Sequence, residues 1–452
     1  MKALKHDITL RLVKLLDVFF VTLPFIGCWY FYYAERIAFP FFRKGNYVII
    51  LLYAILFIIF GKIYDAFIIS YHRIQEIVYS QFLAFSMSDL IIYIVICLLC
   101  RRIPNILPGV ACLFAQILIA AVWSYLIHHA YFSTYQAKPT AIIYDQRVGM
   151  EKLIDSYDLV RKFDVQINLQ VDDCLNNLDA LKNVEVVFLS GIHSHDRNII
   201  LKYCIANNIN VFVIPRVGDV IMSGAKSMHM FHLPMLSVNR YMASVEYLFI
   251  KRVLDILISL ILLIVLSPIL IITAIAVKSD GGPAFYKQVR LTKDGKQFEI
   301  IKFRSMRVNA EADGVARLSS EHDDRITKVG HIIRACRIDE LPQLLNIFKG
   351  DLSIVGPRPE RPEIAEEYCK EMPEFALRLQ CKAGLTGYAQ VYGKYNTTPY
   401  DKLQMDLLYI AHPSIAQDVM IFLATVKILF MPESTEGVAE GATTAMGQEN
   451  NV

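Results

Sequence analysis

The chain is poor in charge. Only 20% of its 452 residues are Asp, Glu, Lys or Arg, and 46 basic against 43 acidic side chains leave a net charge of +3. That balance gives no support to a general polyanion-binding role, so no nucleic-acid partner is expected. Signs of cross-links or structural metal are equally scant. The nine cysteines are scattered and odd in number, so at least one is unpaired, which suits buried thiols in a reducing compartment. One C-x-x-C occurs, at Cys97 and Cys100, but it ends the apolar run IIYIVICLLC. No second pair completes a zinc site, and it reads as packing. His193 with His195, and His229 with His232, lack a third ligand at matching spacing and read as surface or packing residues. No A-x-A cleavage site follows a short apolar core, so no removable signal peptide is expected.

Apolar residues are what the chain has in excess, at 55% of the total with a mean hydropathy of +0.39. This excludes a disordered or fibrous chain and points to a membrane protein with soluble parts. The excess is concentrated. Val18–Ala34 and Gly45–Gly61 are charge-free, Ser80–Cys100 carries only Asp89, and Ile103–Ala137 contains no Asp, Glu, Lys or Arg. A span needs about 20 mostly apolar residues, so residues 1–138 read as four transmembrane helices. Lys2, Lys5, Arg11 and Lys14 favour a cytoplasmic N-terminus, yet Arg36, Arg43, Lys44, Arg101 and Arg102 fall in the loops that would lie outside. The positive-inside bias is therefore weak. Asp17 is expected near an interface and Asp89 paired within the bundle, in preference to a conduction path.

From Thr140 the texture changes. Short apolar runs (TAIIY, VEVVFLSG, NVFVIPRV) alternate with helix-compatible stretches such as RNIILKYCIAN, which predicts a small parallel α/β domain over residues 139–236. A dinucleotide site there would carry G-x-G-x-x-G after the first strand. The turn reads YDQRVGM instead, so a structural or regulatory Rossmann-like domain is expected, without a nucleotide site. A fifth apolar segment, residues 252–277, has the length of a span but is interrupted by Ser267-Pro268. Proline breaks or kinks a helix, and the residues leave two readings open: a kinked span, or a re-entrant hairpin that enters and leaves by one face. From Lys278 to Arg307 eight basic side chains face three acidic ones, a local excess of +5 that favours the anionic cytoplasmic surface. Phe285 and Tyr286 suit either interfacial anchoring or core packing.

The chemistry concentrates in Ile326–Pro359, ITKVGHIIRACRIDELPQLLNIFKGDLSIVGPRP. Pro342 suits the first turn of a helix and Gly350 its stop, predicting a short helix over Leu341–Lys349 with Asp339 and Glu340 at its N-terminus. That end of a helix attracts phosphates and carboxylates. Two adjacent carboxylates with Arg334, Arg337 and Arg358 nearby in sequence could hold Mg²⁺ and act on a phosphate ester. An isolated Asp-Glu is more often a helix cap with surface ion pairs.

The surrounding motifs decide between these. Lys251-Arg252-x-x-Asp255, Ser267-Pro268, KFRSM (Lys302–Met306), DDRITKVG (Asp323–Gly330), RIDELPQLLN (Arg337–Asn346), GDLSIVGPRPE (Gly350–Glu360) and GLTGYAQV (Gly384–Val391), followed by Asp406, Tyr409, Asp418 and Thr425, occur in order. Together they resemble the bacterial sugar transferases, that is, polyprenyl-phosphate hexose-1-phosphate transferases or monotopic phosphoglycosyl transferases, in their long form. The resemblance covers about Tyr247–Phe430. It implies a mostly helical catalytic domain over residues 237–432, with residues 252–277 re-entrant through Ser267 and Pro268. It also implies a multi-pass protein of the bacterial inner membrane with its active site at the cytoplasmic face. The substrates it implies are a UDP-sugar and a membrane-embedded polyprenyl phosphate, with Mg²⁺ as cofactor held at Asp339 and Glu340. In the implied reaction Asp339 attacks the sugar-bearing phosphate and expels UMP, and the lipid phosphate then resolves the aspartyl intermediate. Lys302, Arg304, Arg334 and Arg358 are the expected phosphate or nucleotide contacts, and Gln343 is expected to orient the acid pair. A non-catalytic scaffold and a UDP-releasing glycosyltransferase are the competing classes. A homodimer through the membrane helices or the α/β domain is compatible with this layout, and the tail, residues 433–452, is expected to be disordered.

Overall fold

A computed structural model describes residues 2–41, 44–241, 243–279, 281–308, 325–393 and 397–429. The expected disordered tail and Asp323-Asp324 of the DDRITKVG motif lie outside the described residues. The chain forms two compact units that divide between Ile214 and Pro215.

The first unit begins with four helices: α1 (Lys2–Cys28), extended by a π-helical turn at Trp29–Tyr33, α2 (Lys44–Ile63), α3 (Ile74–Cys100) and α4 (Leu107–Thr134). All four are long and apolar enough to cross a membrane. Large apolar side chains such as Leu51, Ile59, Phe114 and Leu118 face outward, while Trp29, Tyr53, Phe57 and Phe85 are fully buried between the helices. A helix apolar on every face is the form suited to lipid. Asp17 is buried among the helices, where Gln81 on α3 donates from Nε2 to Asp17 Oδ2 at 2.9 Å.

The same unit continues as β1 (Lys138–Tyr144), α5 (Met150–Ser156), β2 (Phe163–Gln170), α6 (Val171–Asn176), β3 (Val186–Ser190), α7 (Ser194–Ala206) and β4 (Asn210–Val213). The strands form one parallel sheet in the order β2-β1-β3-β4. Central β1 and β3 are the apolar runs legible in sequence, and they bury Ala141, Ile143, Val187 and Leu189. Edge strand β2, FDVQINLQ, alternates apolar and polar residues, and no apolar run announces it. The sheet ends at Val213, well short of Leu236.

Residues 215–236, expected in the α/β domain, fall in the second unit, where Val220 of α8 (Val217–Ser223) is part of the main core. An antiparallel ribbon, β5 (Lys226–Met230) and β6 (Leu233–Ser237), follows. Next come α9 (Val245–Val265) and α10 (Ser267–Lys278), the hairpin β7 (Phe285–Leu291) and β8 (Gln297–Phe303), and α11 (Lys328–Ala335). A 3₁₀ turn at Ile338–Gln343 leads into α12 (Leu344–Lys349), β9 (Ser353–Val355) and α13 (Pro362–Glu371). After a second 3₁₀ stretch, Pro373–Gln380, come β10 (Gly384–Thr386), α14 (Tyr388–Tyr392), α15 (Pro399–Ala411) and α16 (Ile415–Leu429). Leu344, Ile347, Leu352, Leu403, Leu407 and Ile421 form the centre of this mostly helical unit. Phe285 stacks on buried Phe303, with ring centroids 5.3 Å apart.

Helices α9 and α10 meet at an angle of 64°. Pro268 lies in the first turn of α10, where its missing N–H is harmless, and Ser267 Oγ donates to the Ile264 carbonyl at 2.8 Å. The start of α9 is fastened to the rest of the unit. Lys251 Nζ pairs with Asp418 at 2.9 Å, and Arg252 donates to the carbonyls of Ile347 and Phe348 at the end of α12. Asp255 accepts from Ser353 Oγ at 2.8 Å and from the Ile354 N–H at 3.0 Å on β9.

Candidate active site

The chain reaches the acid pair through a sharp reversal. Thr327 caps α11 by accepting from the Gly330 N–H at 2.9 Å, and Arg337, with φ of 55°, turns the chain into the 3₁₀ turn that carries Asp339 and Glu340. The α-helix proper starts at Leu344, three residues later than the sequence predicts, because Asp339 to Gln343 wind as 3₁₀ with Pro342 inside. Gly350, with φ of 100°, stops it as predicted.

The two carboxylates live in different fields. Glu340 Oε1 accepts from Lys302 Nζ at 2.7 Å and from Arg358 Nη2 at 3.2 Å. Burial pushes the Glu340 carboxyl up, but the Lys302 and Arg358 cations outweigh it and hold the group well below the usual carboxylate range. Asp339 is shifted the other way. Burial first, and then the neighbouring Glu340 charge, raise its proton affinity against the pull of Lys302, Arg334 and Arg337. Its Oδ1 is shielded from solvent and has no hydrogen-bond partner among the described residues. Glu340 is thus a fixed anion, whereas Asp339 is an under-stabilised carboxylate with an oxygen to offer. That is the condition of a nucleophile or a ligand.

Of the cations expected from sequence, Lys302 at the end of β8 and Arg358 after β9 meet at Glu340, and Arg334 acts on Asp339 from α11. Gln343 is buried in the same 3₁₀ turn. Arg304 is placed differently. Its guanidinium is buried and donates to the carbonyls of Pro283, Met306 and Val277 at 2.9, 3.0 and 3.1 Å. Gly282 leaves room for it, since a Cβ there would lie 2.7 Å from the guanidinium carbon. These contacts brace the backbone on either side of the β7–β8 hairpin. Motif reading assigned no role to Arg290, Arg378 and Asp406, which lie behind the Arg358 loop. They are remote from the acid pair in sequence, and only the fold brings them there.

The described residues thus combine a buried acid pair flanked by cations with four helices long and apolar enough to cross a membrane and one bent helix pair. The family model for "Bacterial sugar transferase" matches residues 246–432, and the chain belongs to that family. It is 40% identical over 190 residues to "UDP-glucose:undecaprenyl-phosphate glucose-1-phosphate transferase" of Caulobacter vibrioides, covering 41% of this chain and 71% of that protein. It is 35% identical over 233 residues to "UDP-N-acetylgalactosamine-undecaprenyl-phosphate N-acetylgalactosaminephosphotransferase" of Aeromonas hydrophila, covering 51% and 54%. It is 37% identical over 210 residues to "Undecaprenyl-phosphate galactose phosphotransferase" of Salmonella typhimurium, covering 43% of each chain. In the last two cases the match spans about half of the relative's length.

Proposed function

We propose that this protein transfers a hexose-1-phosphate from a UDP-sugar to polyprenyl phosphate, releasing UMP, as the first membrane step of capsule or exopolysaccharide synthesis. The observation that carries this reading is the buried, unpartnered Asp339 oxygen beside a Glu340 clamped by Lys302 and Arg358. The names of the relatives agree with it, and they differ in the sugar. Asp339 Oδ1 attacks the sugar-bearing phosphorus, forming an aspartyl–phosphate bond as the bond to the UMP oxygen breaks. A phosphate oxygen of the lipid then attacks the same phosphorus, giving polyprenyl-diphospho-sugar and restoring the carboxylate. Arg358 and Lys302 stabilise the charge on the phosphoryl oxygens, and Arg334 helps to keep Asp339 ionised.

Among the described residues no group of three or more His, Cys, Asp or Glu could hold a metal through protein ligands alone. Mg²⁺ commonly binds through one or two carboxylates, water and substrate phosphates, and the orphaned Asp339 oxygen beside Glu340 fits that mode. Asp339 and Glu340 would hold it, and it would neutralise diphosphate charge. The break at Ser267-Pro268 and the basic stretch after it support a re-entrant α9–α10 at the cytoplasmic face of the inner membrane, where UDP-sugars are found and an anionic lipid head is attracted.

The test is to incubate nanodisc-embedded protein with undecaprenyl phosphate and UDP-glucose, UDP-galactose or UDP-N-acetylgalactosamine, and to identify the released nucleotide. UMP is expected. Release of UDP would make the protein an ordinary glycosyltransferase, and no release with any donor would leave a scaffold.

A further inference from the structure

We infer that Arg378 is a positioning residue that presents Arg358 to the substrate; the inference rests on the proposed phosphosugar transfer and adds a residue to its machinery. Arg378 is buried in the 3₁₀ stretch Pro373–Gln380 and divides its donors between two places. Nε and Nη2 meet Asp406 Oδ2 of α15 at 3.0 and 2.7 Å. Nη2 also donates to the Arg358 carbonyl at 3.0 Å, and Nη1 to Glu360 Oε1 at 3.3 Å. One guanidinium thus ties helix α15 to the backbone and the acidic side chain of the Pro357–Glu360 loop.

That loop is pinned at every carbonyl. Pro357 accepts from the Gly384 N–H at 2.9 Å, Arg358 from Arg378, Pro359 from Arg290 Nη1 at 3.1 Å, and Glu360 from the Leu291 N–H at 2.9 Å. The two prolines further restrict its backbone. From this pinned loop the Arg358 side chain, 41% exposed, reaches Glu340 through Nη2 at 3.2 Å. Arg378 acts on that side chain twice. It fixes the carbonyl of the residue that bears it, and by engaging Glu360 it holds a second carboxylate that would otherwise compete with Glu340 for the guanidinium. A buried ion pair alone is a weak device for stability, since packed apolar residues serve as well. Reaching Asp406, Glu360 and a main-chain carbonyl together requires the planar fork of an arginine. This is how a binding group is held rigid by a supporting shell.

The test is a double-mutant cycle on UDP affinity, measured by equilibrium binding to the full chain in nanodiscs, with Arg378→Lys, Arg358→Lys and the double variant. A lysine cannot make all the contacts of Arg378, and losing one charged hydrogen bond's worth of positioning corresponds to about tenfold in Kd. Arg378→Lys is therefore expected to weaken UDP binding about tenfold in the wild-type background and less than about twofold once Arg358 is lysine. Asp406→Asn, which keeps Arg378 but loosens its anchor, gives the same pattern and serves if Arg378→Lys does not fold. Equal losses in both backgrounds, or no loss in either, would overturn the inference. Wild type that binds UDP but releases no UMP would sink the transfer reading and leave the cycle to decide on Arg378. Wild type that binds no UDP would sink both.

Discussion

Replacing Asp339 by asparagine should abolish turnover and at the same time stabilise the protein. Among the described residues one oxygen of this side chain is shielded from solvent and unpartnered, and its charge lies next to that of Glu340. Asparagine keeps a polar atom there, so the gain comes from removing a charge that burial and Glu340 disfavour. Attraction to Lys302, Arg334 and Arg337 returns part of this, but the net proton affinity is still raised, so the fold disfavours the ionised form. A gain of ~1–2 kcal/mol corresponds to about 3–6 °C in melting temperature for a unit of this size. The gain also has a pH signature. A carboxyl that holds its proton more tightly folded than unfolded weakens the fold as it ionises. The advantage of asparagine should therefore grow as pH rises through the folded-state value and vanish below about 4, where the unfolded aspartate is itself protonated. Calorimetry is the suitable assay, because both tryptophans, Trp29 and Trp123, lie in the long apolar helices of the other unit and their fluorescence would report the wrong transition. Equal melting temperatures at neutral pH, or an advantage that grows on acidification, would refute the reasoning.

Three further outcomes are expected. Lys302→Met leaves Glu340 with Arg358 alone; the cost should stay below the ~3–5 kcal/mol of a fully broken buried pair. Because a depressed carboxyl stabilises only above the unfolded value, this loss should be full at neutral pH and shrink on acidification, as urea titrations at pH 7 and pH 4 would show. Arg304→Ala removes donors to three carbonyls and should lower stability by at least ~2 kcal/mol. UDP affinity in whatever fraction folds should change less than about twofold, and a large affinity loss in stable protein would return Arg304 to the substrate-contact role. Replacing Ser267 and Pro268 together by leucine removes the break between α9 and α10. Cysteine labelling from either side of proteoliposomes should then show α10 emerging on the opposite face, and unchanged labelling would count against re-entry.

The acid pair, Lys302 and Arg358 were legible in sequence because their motifs are compact and their chemistry is local. The bracing contacts of Arg304 were not legible: KFRSM sets it beside Lys302, and only the fold shows its guanidinium donating to the carbonyls of Val277, Pro283 and Met306. Strands β1, β3 and β4 announced themselves as apolar runs, whereas β2 did not, since FDVQINLQ carries a polar residue at every second position. The α/β domain was expected to run to residue 236, whereas the two units divide at Pro215, and only tertiary packing shows that Val220 joins the core of the second. Arg378 and Asp406 stand 28 positions apart, and no spacing rule connects them.

The clamps at the start of α9 bear on how the two proposed substrates would meet. Arg252 grips the end of the helix that begins just after the acid pair, and Asp255 grips the strand that leads to Arg358. In the proposed reading α9–α10 lodge in lipid, and these hydrogen bonds would then hold the Asp339 carboxylate at a constant height above the acyl chains. A soluble sugar nucleotide would approach from any direction. A lipid phosphate would travel only in the plane of its leaflet, so that constant height would let a two-dimensional search end at the right atom.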